Sequence, residues 1–357
     1  MAQKSESANL DLLRSLAVSL VLGDHVLVAF GVPWEGNAVD PHGVENPCWA
    51  AGHLGVLLFF IHTSLVLMMS LSRLEMAGGA LARRFYIRRA FRIYPLSILA
   101  VLMVTSFGIP EMSRMGFRAP TATELWSNLV LVQNITGSRS LTSPLWSLPY
   151  EVQMYLALPF LYLLGKRVGN PLAVLAVGFG AWYLGHRMAV RLGMPPLLNY
   201  APWFCMGVAA FFRRPERRLP TWLFVTTLAS MVVAVLLMEQ FVRAYWEGYL
   251  EWALGVGFCL TLPMFLELQW APAKRVCHLI AKYSYGIYLA HLPILWFATE
   301  GLAGRPVALR AVLCVTMLIG VPVALYHTIE QPFIRLGARI TTTHPQSVVP
   351  QRVAAGL

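Results

Sequence analysis

The first apolar segment of the chain reads Leu10-Asp-Leu-Leu-Arg14-Ser-Leu-Ala-Val-Ser-Leu-Val-Leu-Gly-Asp24-His25. Arg14 and His25 are separated by about three helical turns, so they face the same way, about 16 Å apart along a helix axis. Charged and titratable groups are costly inside a membrane and usually mark a functional site there. These internal charges, with no small-residue cleavage site after them, favour a retained membrane helix over a cleaved signal peptide.

The composition excludes an ordinary soluble domain. Of the 357 residues, 57% are hydrophobic and 13% are charged, whereas about 25% of residues in soluble domains are charged. The mean hydropathy is +0.60, and several apolar runs approach the roughly 20 residues that cross a bilayer. The net charge of +11 follows from the positive-inside rule, so we expect a lipid bilayer as partner and no nucleic acid.

We predict an all-α integral membrane protein, a bundle of ten transmembrane helices with both termini in the cytoplasm. Most Lys and Arg residues then face the cytoplasm, whereas the first outer loop, 31–52, contains neither. A nine-span alternative, which omits the short sixth span, reverses everything after it. The predicted spans are 11–30, 53–72, 94–109, 145–164, 171–188, 199–212, 220–238, 248–266, 283–300 and 307–328.

Three further features are the long outer connection, the C-terminal segment and the cysteines. The long outer connection 110–144 contains Thr121-Ala-Thr-Glu124, a capping-box pattern that predicts a short interfacial helix over the mouth of the bundle. The polar segment 337–357 is predicted to be a disordered tail. The five cysteines have no close spacing, so we expect buried thiols, with no disulfide framework and no metal site.

The first candidate site is the helix that carries Arg14, Asp24 and His25. A neutral imidazole can take a proton from a hydroxyl, and a neighbouring carboxylate can stabilise the imidazolium that forms. Asp24 and His25 diverge by about 100° around the helix, so their direct contact is not assured. The alternative is structural: Arg14 extends to the headgroups or pairs with Asp11, and His25 is a packing residue.

The second candidate site is the arginine-rich segment Arg83-Arg84-Phe-Tyr-Ile-Arg88-Arg89-Ala-Phe-Arg92-Ile-Tyr-Pro95. Arg88, Arg89 and Arg92 have helical spacing and could together bind the phosphates of a donor on the cytoplasmic side. The alternative is an anchor at an anionic membrane surface.

The third candidate site is Trp146-Ser-Leu-Pro-Tyr150-Glu151-Val-Gln153-Met-Tyr155, which enters a span from the outer face. Its carboxylate, amide and aromatic groups suit the binding of sugar hydroxyls, at the depth of His25; the alternative is an aromatic belt.

Three further titratable residues, His291, His62 and Glu330, lie in or next to predicted spans. His291 is a weaker candidate for substrate binding, because a lone histidine in a bundle is more often a packing residue, and the same holds for His62. Glu330 is interpreted as a structural salt-bridge partner of the arginine-rich segment.

Five motifs in this order resemble the acyltransferase-3 family of membrane O-acyltransferases, and the resemblance covers about 10–336. They are Arg14-x10-His25, Arg89-Ala-Phe-Arg92-Ile-Tyr-Pro95, Trp146-Ser-Leu-Pro-Tyr-Glu151, Ser284-Tyr-Gly-Ile-Tyr-Leu-Ala-His291 and Glu330-Gln-Pro-Phe. The chain departs from the family pattern at His62-Thr63-Ser64, where Ser-Gly is common, and at Leu13 and Ser15, where glycine is common. These departures leave the subfamily and the substrate undefined.

The resemblance implies one acyltransferase-3-like transmembrane domain, 1–336, in the bacterial inner membrane. It implies transfer of an acyl group, most simply acetyl from acetyl-CoA, to a hydroxyl of a carbohydrate or glycolipid acceptor. It assigns His25 as the catalytic base with Arg14 as its basic partner, Arg89 and Arg92 to the donor, and Glu151 to the family's conserved acid.

Together the residues and the resemblance define a predicted site. The candidate catalytic residues are His25, Arg14, Asp24 and Glu151; the donor-binding residues are Arg88, Arg89 and Arg92; the acceptor-binding residues are Trp146, Gln153, Tyr155 and His291. Transfer could be direct or could pass through an acyl-enzyme on Ser64 or a cysteine. A transporter of a lipid-linked sugar or small metabolite, with no chemistry, is the alternative function.

Overall fold

A computed structural model describes residues 7–31, 48–73, 78–111, 116–192, 198–241 and 247–341. In these ranges the regular structure is helical, and the one β-type contact is an isolated bridge between Leu219 and Phe265. The α-helices are α1 (Ala8–Ala29), α2 (Trp49–Ser72), α3 (Gly78–Ser106), α4 (Ala122–Leu129), α5 (Gln133–Thr136), α6 (Leu148–Val168), α7 (Pro171–Leu192), α8 (Ala201–Phe212), α9 (Thr221–Phe241), α10 (Glu247–Thr261), α11 (Ala271–Trp296), α12 (Val307–Leu325) and α13 (Gln331–Ile340). Ser143–Ser147 and Leu262–Met264 are 3-10 turns, and Phe297–Gly301 and Tyr326–Glu330 are π-helical turns.

Every predicted span overlaps one of these α-helices, which confirms the all-helical class. Among the described residues, four helical segments are long and apolar enough to cross a membrane: Ala8–Ala29, Trp49–Ser72, Thr221–Met238 and Val307–Ile340. Ala201–Phe212 is apolar but, at 12 residues, only about 18 Å long against a hydrocarbon core of about 30 Å. The protein is an integral membrane protein; the count of ten spans and the orientation stay predictions.

Two helices begin more than ten residues before the spans predicted within them. α3 begins at Gly78 and includes the whole arginine-rich segment, and α11 begins at Ala271, well before the predicted edge at 283. Apolar runs mark the part of a helix that suits the bilayer, whereas backbone hydrogen bonding continues wherever the sequence tolerates a helix. Continuity of α3 fixes Arg88, Arg89 and Arg92 rigidly relative to the span that follows.

α2 lies at the centre of the bundle and packs against α1 and α8. A Cβ at Gly207 of α8 would overlap Ser64 Oγ and the carbonyl oxygen of Ile61, so glycine lets the two backbones approach closely. Beside this contact, the rings of Phe60 and Phe204 stack with their centroids 4.5 Å apart. Ser64 is fully buried and donates its hydroxyl hydrogen to the carbonyl oxygen of Phe60 at 2.8 Å.

The predicted capping box at the start of α4 is confirmed. The Glu124 N–H donates to Thr121 Oγ1 at 3.2 Å, and the Thr121 N–H donates to the Glu124 carboxylate at 2.8 Å. Arg139 pairs with both Glu124 and Glu111. The Tyr94 hydroxyl donates to the carbonyl oxygen of Val130 at 3.2 Å. The connection thus packs along α3 before it enters the 3-10 turn that precedes α6.

α13 packs against α3 through Gly337, where an added Cβ would overlap the Phe91 side chain. The first residues of the predicted tail are therefore helical, because α13 continues to Ile340. The remaining tail, 342–357, lies outside the described residues, as does most of the first outer loop.

Candidate active site

A cavity lies between α1, α2, α3, α6 and α11, and its empty space, including the part open to solvent, is about 540 Å³. We call it the arginine cavity, because both Arg14 and Arg92 line it. Its polar lining consists of Arg14, Thr63, Arg92, Ser147, Glu151, Tyr155, Ser284, Tyr285 and Tyr288. The cavity therefore brings together residues from the first four of the five family motifs, represented by Arg14, Arg92, Glu151 and Ser284.

Arg14 points into this cavity and does not extend to the headgroups. Its Nε donates to Ser284 Oγ at 2.6 Å, and the Ser284 hydroxyl in turn donates to the carbonyl oxygen of Ala281 at 2.8 Å. Asp11, the alternative partner of Arg14, contacts His278 Nδ1 at 3.0 Å. Ser284 is fully buried, so it holds the guanidinium in one orientation.

Glu151 lines the same cavity. The Tyr155 hydroxyl donates to the Glu151 carboxylate. Gln153, one helical face away, exchanges amide hydrogen bonds with Asn134 of α5 at 2.9 and 3.2 Å. α6 begins directly after the 3-10 turn, so its first residues lie between the other helices. The depth of Glu151 in the membrane, relative to that of His25, stays a prediction.

The arginine-rich segment divides between the cavity and the helix packed beside it. Arg92 lines the cavity, and its Nη2 lies 3.7 Å from the carboxylate of buried Glu330, the salt bridge predicted for that residue. Arg88 Nε donates to Thr341 Oγ1 at 2.8 Å, just beyond α13. Arg89, which follows Arg88 in the chain, is half-buried. The π-helical turn that ends at Glu330 turns this carboxylate towards α3.

His25 lies beside His291 of α11, and we call the two residues the histidine pair. His25 Nδ1 is 3.3 Å from His291 Nε2, and the ring centroids are 5.0 Å apart. Each Nδ1 also lies close to the backbone carbonyl one turn earlier, at 2.9 Å from Val21 O and 3.0 Å from Ile287 O. Since a carbonyl only accepts, both rings carry their hydrogen on Nδ1, which leaves the lone pair of His25 on Nε2.

Asp24 is buried but faces a different helix from His25. A Cβ at Gly52 of α2 would overlap the Asp24 carboxylate, whereas His25 meets α11. The two side chains thus point away from each other around α1, Asp24 towards α2 and His25 towards α11. The structure places His291 directly against the imidazole of His25.

Tyr288 joins the cavity to the histidine pair. It lines the cavity, and its ring centroid is 6.2 Å from that of His291. Its hydroxyl donates to the carbonyl oxygen of Pro144 at 2.8 Å and lies 2.7 Å from Ser147 Oγ. A ligand that contacts Tyr288 in the cavity is therefore separated from the histidine pair by the ring of Tyr288.

Three residues that line the cavity, Ser284, Ser147 and Tyr288, have no role predicted from the sequence. The signal was present in α11, because Ser284, Tyr288 and His291 follow the spacing i, i+4 and i+7 that places them on one helical face. Only the partners of that face, α1 and the 3-10 turn, show what the three residues do. Among the described residues, no group of three His, Cys, Asp or Glu side chains could hold a metal ion.

The cysteines lie away from this site. All five are in the described part of the chain, none forms a disulfide, and Cys205, Cys259, Cys277 and Cys314 are buried.

Comparisons with known proteins identify the family. The model of the acyltransferase-3 family, described as an acyltransferase domain, matches residues 7–327. The peptidoglycan O-acetyltransferase OatA of Listeria monocytogenes is 27% identical in an alignment that covers 92% of this chain and 56% of that protein. The chain thus spans little more than half the length of this curated relative. No solved structure matches the chain. The family match over nearly the whole chain places this protein in the acyltransferase-3 family of O-acyltransferases.

Proposed function

We propose that this protein transfers an acyl group, acetyl in the simplest case, from acyl-CoA to a hydroxyl of a carbohydrate at the bacterial inner membrane. The observation that carries the proposal is the arginine cavity with the histidine pair behind one of its walls. A cavity rich in arginine suits an anionic donor, and a neutral imidazole suits the removal of a hydroxyl proton. The resemblance to a peptidoglycan O-acetyltransferase supports a glycan as acceptor.

In this proposal the donor enters from the side of the arginine-rich segment. Arg88, Arg89 and Arg92 bind the phosphates of CoA, because guanidinium groups match phosphate oxygens. Arg92 is suited to this role since its side chain is 30% exposed and also lines the cavity. Arg14 lies deeper, where its N–H groups can hold the carbonyl oxygens of the donor arm. Glu151 and Glu330 balance the positive charge while the site is empty.

The chemical step uses the histidine pair. His25 Nε2 takes the proton of the acceptor hydroxyl as the oxygen attacks the carbonyl carbon of the thioester. The carbon–sulfur bond then breaks, its electron pair leaves with the CoA sulfur, and the proton on His25 passes to that sulfur. The Val21 carbonyl oxygen accepts the hydrogen of His25 Nδ1 and so keeps the lone pair on Nε2, while His291 lies against the ring and acts as a positioning residue.

We propose direct transfer, with no acyl-enzyme. Ser64 faces Gly207 of α8 and bonds to its own helix, while the cavity is lined by its neighbour Thr63. Four of the five cysteines are buried. Intact-mass measurement of the protein after incubation with acetyl-CoA alone would show no added acetyl group; a stoichiometric adduct would contradict direct transfer.

The test is release of CoA by the purified, reconstituted protein, measured with a thiol reagent in the presence and absence of a glycan such as chitotetraose. We expect glycan-dependent release in the wild type and a loss of about 100-fold or more in His25→Ala, since general-base catalysis contributes that much. His186→Ala is the matched control, because this histidine is exposed on α7.

Two results would contradict the proposal. Turnover by His25→Ala at the wild-type rate would remove His25 as the base. No release of CoA by an intact wild type with any hydroxyl acceptor would favour transport without chemistry.

A further inference from the structure

A second group of side chains lies at the N-terminal ends of α2, α6, α8 and α10. The distribution of Lys and Arg predicts that these ends are on the outer side of the membrane. Half-buried aromatic and imidazole rings from these elements converge there, and we call them the outer aromatic cluster. Its members are Trp49, His53, Trp146, Tyr150 and Tyr200, with Glu251 at its edge. No step of the proposed mechanism uses His53, Tyr200 or Glu251.

The rings contact one another and do not stand apart as they do in an aromatic belt. His53 stacks on Trp49 with the ring centroids 5.2 Å apart, and Tyr200 lies 5.4 Å from Trp146 and 4.8 Å from Tyr150. Residues of an aromatic belt point outward from the protein instead. Trp126, Trp222 and Trp270 point outward here, since they are 66%, 63% and 69% exposed. The cluster is therefore turned towards the inside of the bundle.

Polar groups border the rings. His53 Nδ1 lies 3.7 Å from the Glu251 carboxylate, and both side chains are largely buried, at 19% and 13% exposed. On the other side, Asn134 hydrogen-bonds to Tyr150 as well as to Gln153. A hydrocarbon ligand here would leave these polar edges without hydrogen bonds, which is costly in an apolar environment. Flat rings bordered by such edges match a sugar ring, which has C–H faces and a rim of hydroxyls.

One motif connects the cluster with the arginine cavity. Trp146 and Tyr150, four residues apart, contribute to the cluster, whereas Ser147 and Glu151, also four residues apart, line the cavity. Residues four apart share a helical face, and the next residue is rotated by about 100°. A sugar on the cluster would thus lie against the same helical turn that lines the cavity and positions Tyr288 next to the histidine pair.

We propose that the outer aromatic cluster binds a pyranose ring of the glycan acceptor, with Trp146 and Tyr200 together against one face of the sugar and the His53–Glu251 pair on its hydroxyls. This inference rests on the proposed function in that it supplies the acceptor for that reaction. It adds His53, Tyr200 and Glu251 as specificity-determining residues, none of which the sequence motifs contain.

The experiment measures binding of chitotetraose to the full-length protein by isothermal titration calorimetry, without any acyl donor. We expect wild type and His25→Ala to bind equally well, and Tyr200→Ala and His53→Ala to bind at least tenfold more weakly. Trp222→Ala is the matched control, since this ring faces outward from α9. Because Tyr200→Ala could disturb the bundle, each variant is first required to keep the wild-type melting temperature within a few degrees, and Tyr200→Phe, which keeps the ring, should restore most of the binding.

The possible outcomes separate this inference from the proposed function. Wild-type binding by both Tyr200→Ala and His53→Ala, or no binding by a wild type that acylates chitotetraose, would overturn the cluster as acceptor site. Binding of chitotetraose that depends on the cluster, with no release of CoA, would keep the cluster and overturn the reaction. If both hold, the variants should raise the KM for chitotetraose and leave the KM for acetyl-CoA unchanged.

Discussion

The arginine cavity and the outer aromatic cluster share α2 and α6 but have opposite chemistry. Arg14, Arg92 and Glu151 give the cavity charges of both signs, whereas the cluster consists of rings bordered by neutral amides and one imidazole–carboxylate pair. A charged donor and an uncharged sugar need different surroundings, and α6 presents one face to each. In the proposed arrangement, the two substrates bind to faces of α6 that are about 100° apart and meet at its first turn.

The largest test of this separation concerns the cavity. Replacing Arg14 by alanine removes a charged hydrogen-bond donor, and such bonds contribute about 1.5–3 kcal/mol. We expect kcat/KM for acetyl-CoA to fall about 10- to 100-fold, while chitotetraose binds as in the wild type. The measurement is steady-state CoA release with each substrate varied in turn.

The matched control for that variant is Arg305→Ala, which removes an exposed arginine at the turn between α11 and α12. An equal loss of affinity for both substrates in Arg14→Ala would mean that the two regions do not act separately.

A smaller effect is expected for Ser284→Ala. This change keeps Arg14 but removes the hydroxyl that bonds to its Nε at 2.6 Å. Because a typical hydrogen bond contributes about 1 kcal/mol, we expect KM for acetyl-CoA to rise about three- to tenfold with kcat nearly unchanged. The same kinetic assay measures it, and Thr316→Ala on α12, which alters a hydroxyl bonded to its own helix, is the control. An effect on kcat alone would place Ser284 in the chemical step.

The smallest effect concerns the connection that leads into α6 and so positions both regions. The hydrogen bond from the Thr121 N–H, followed by the charges of Arg118 and Arg139, lowers the pKa of Glu124 below its ordinary value. A depressed pKa means that the carboxylate stabilises the fold at pH above its unfolded value and loses this effect as pH falls through the folded value. Glu124→Gln should therefore lower the free energy of unfolding by about 1 kcal/mol at neutral pH and by little in acid.

Thermal unfolding of the purified protein at neutral pH and near pH 3 would measure this difference, with Glu216→Gln, an exposed carboxylate in the loop after α8, as control. A loss of the same size at both pH values would show that the charge of Glu124 is not the source.

Much of the helical architecture could be predicted from the sequence, because apolar runs and capping residues are local signals. The capping box at Thr121 and the burial of most cysteines are examples. The edges of α3 and α11 could not be predicted, since their polar ends are helical without being apolar. The cavity that Glu151 lines could not be predicted either, because a motif gives a position along one helix and not the side chains that other helices bring to it.

The candidate site shows the same division. Arg14, His25 and the arginine-rich segment stand out in the sequence because charges inside a membrane protein are costly and rarely accidental. Ser284 and Tyr288 do not stand out, because serine and tyrosine are common in helices and their roles depend on partners more than a hundred residues away.

By itself the sequence determined that this chain enters a membrane as helices and carries the motifs of an acyltransferase-3 protein, because hydrophobicity and motif spacing are properties of the chain alone. Tertiary structure alone decided that His25 lies against His291, that Arg14 and Glu151 share one cavity, and that rings from four elements converge beside it. These are contacts between distant residues, and only the packing of the helices brings them together.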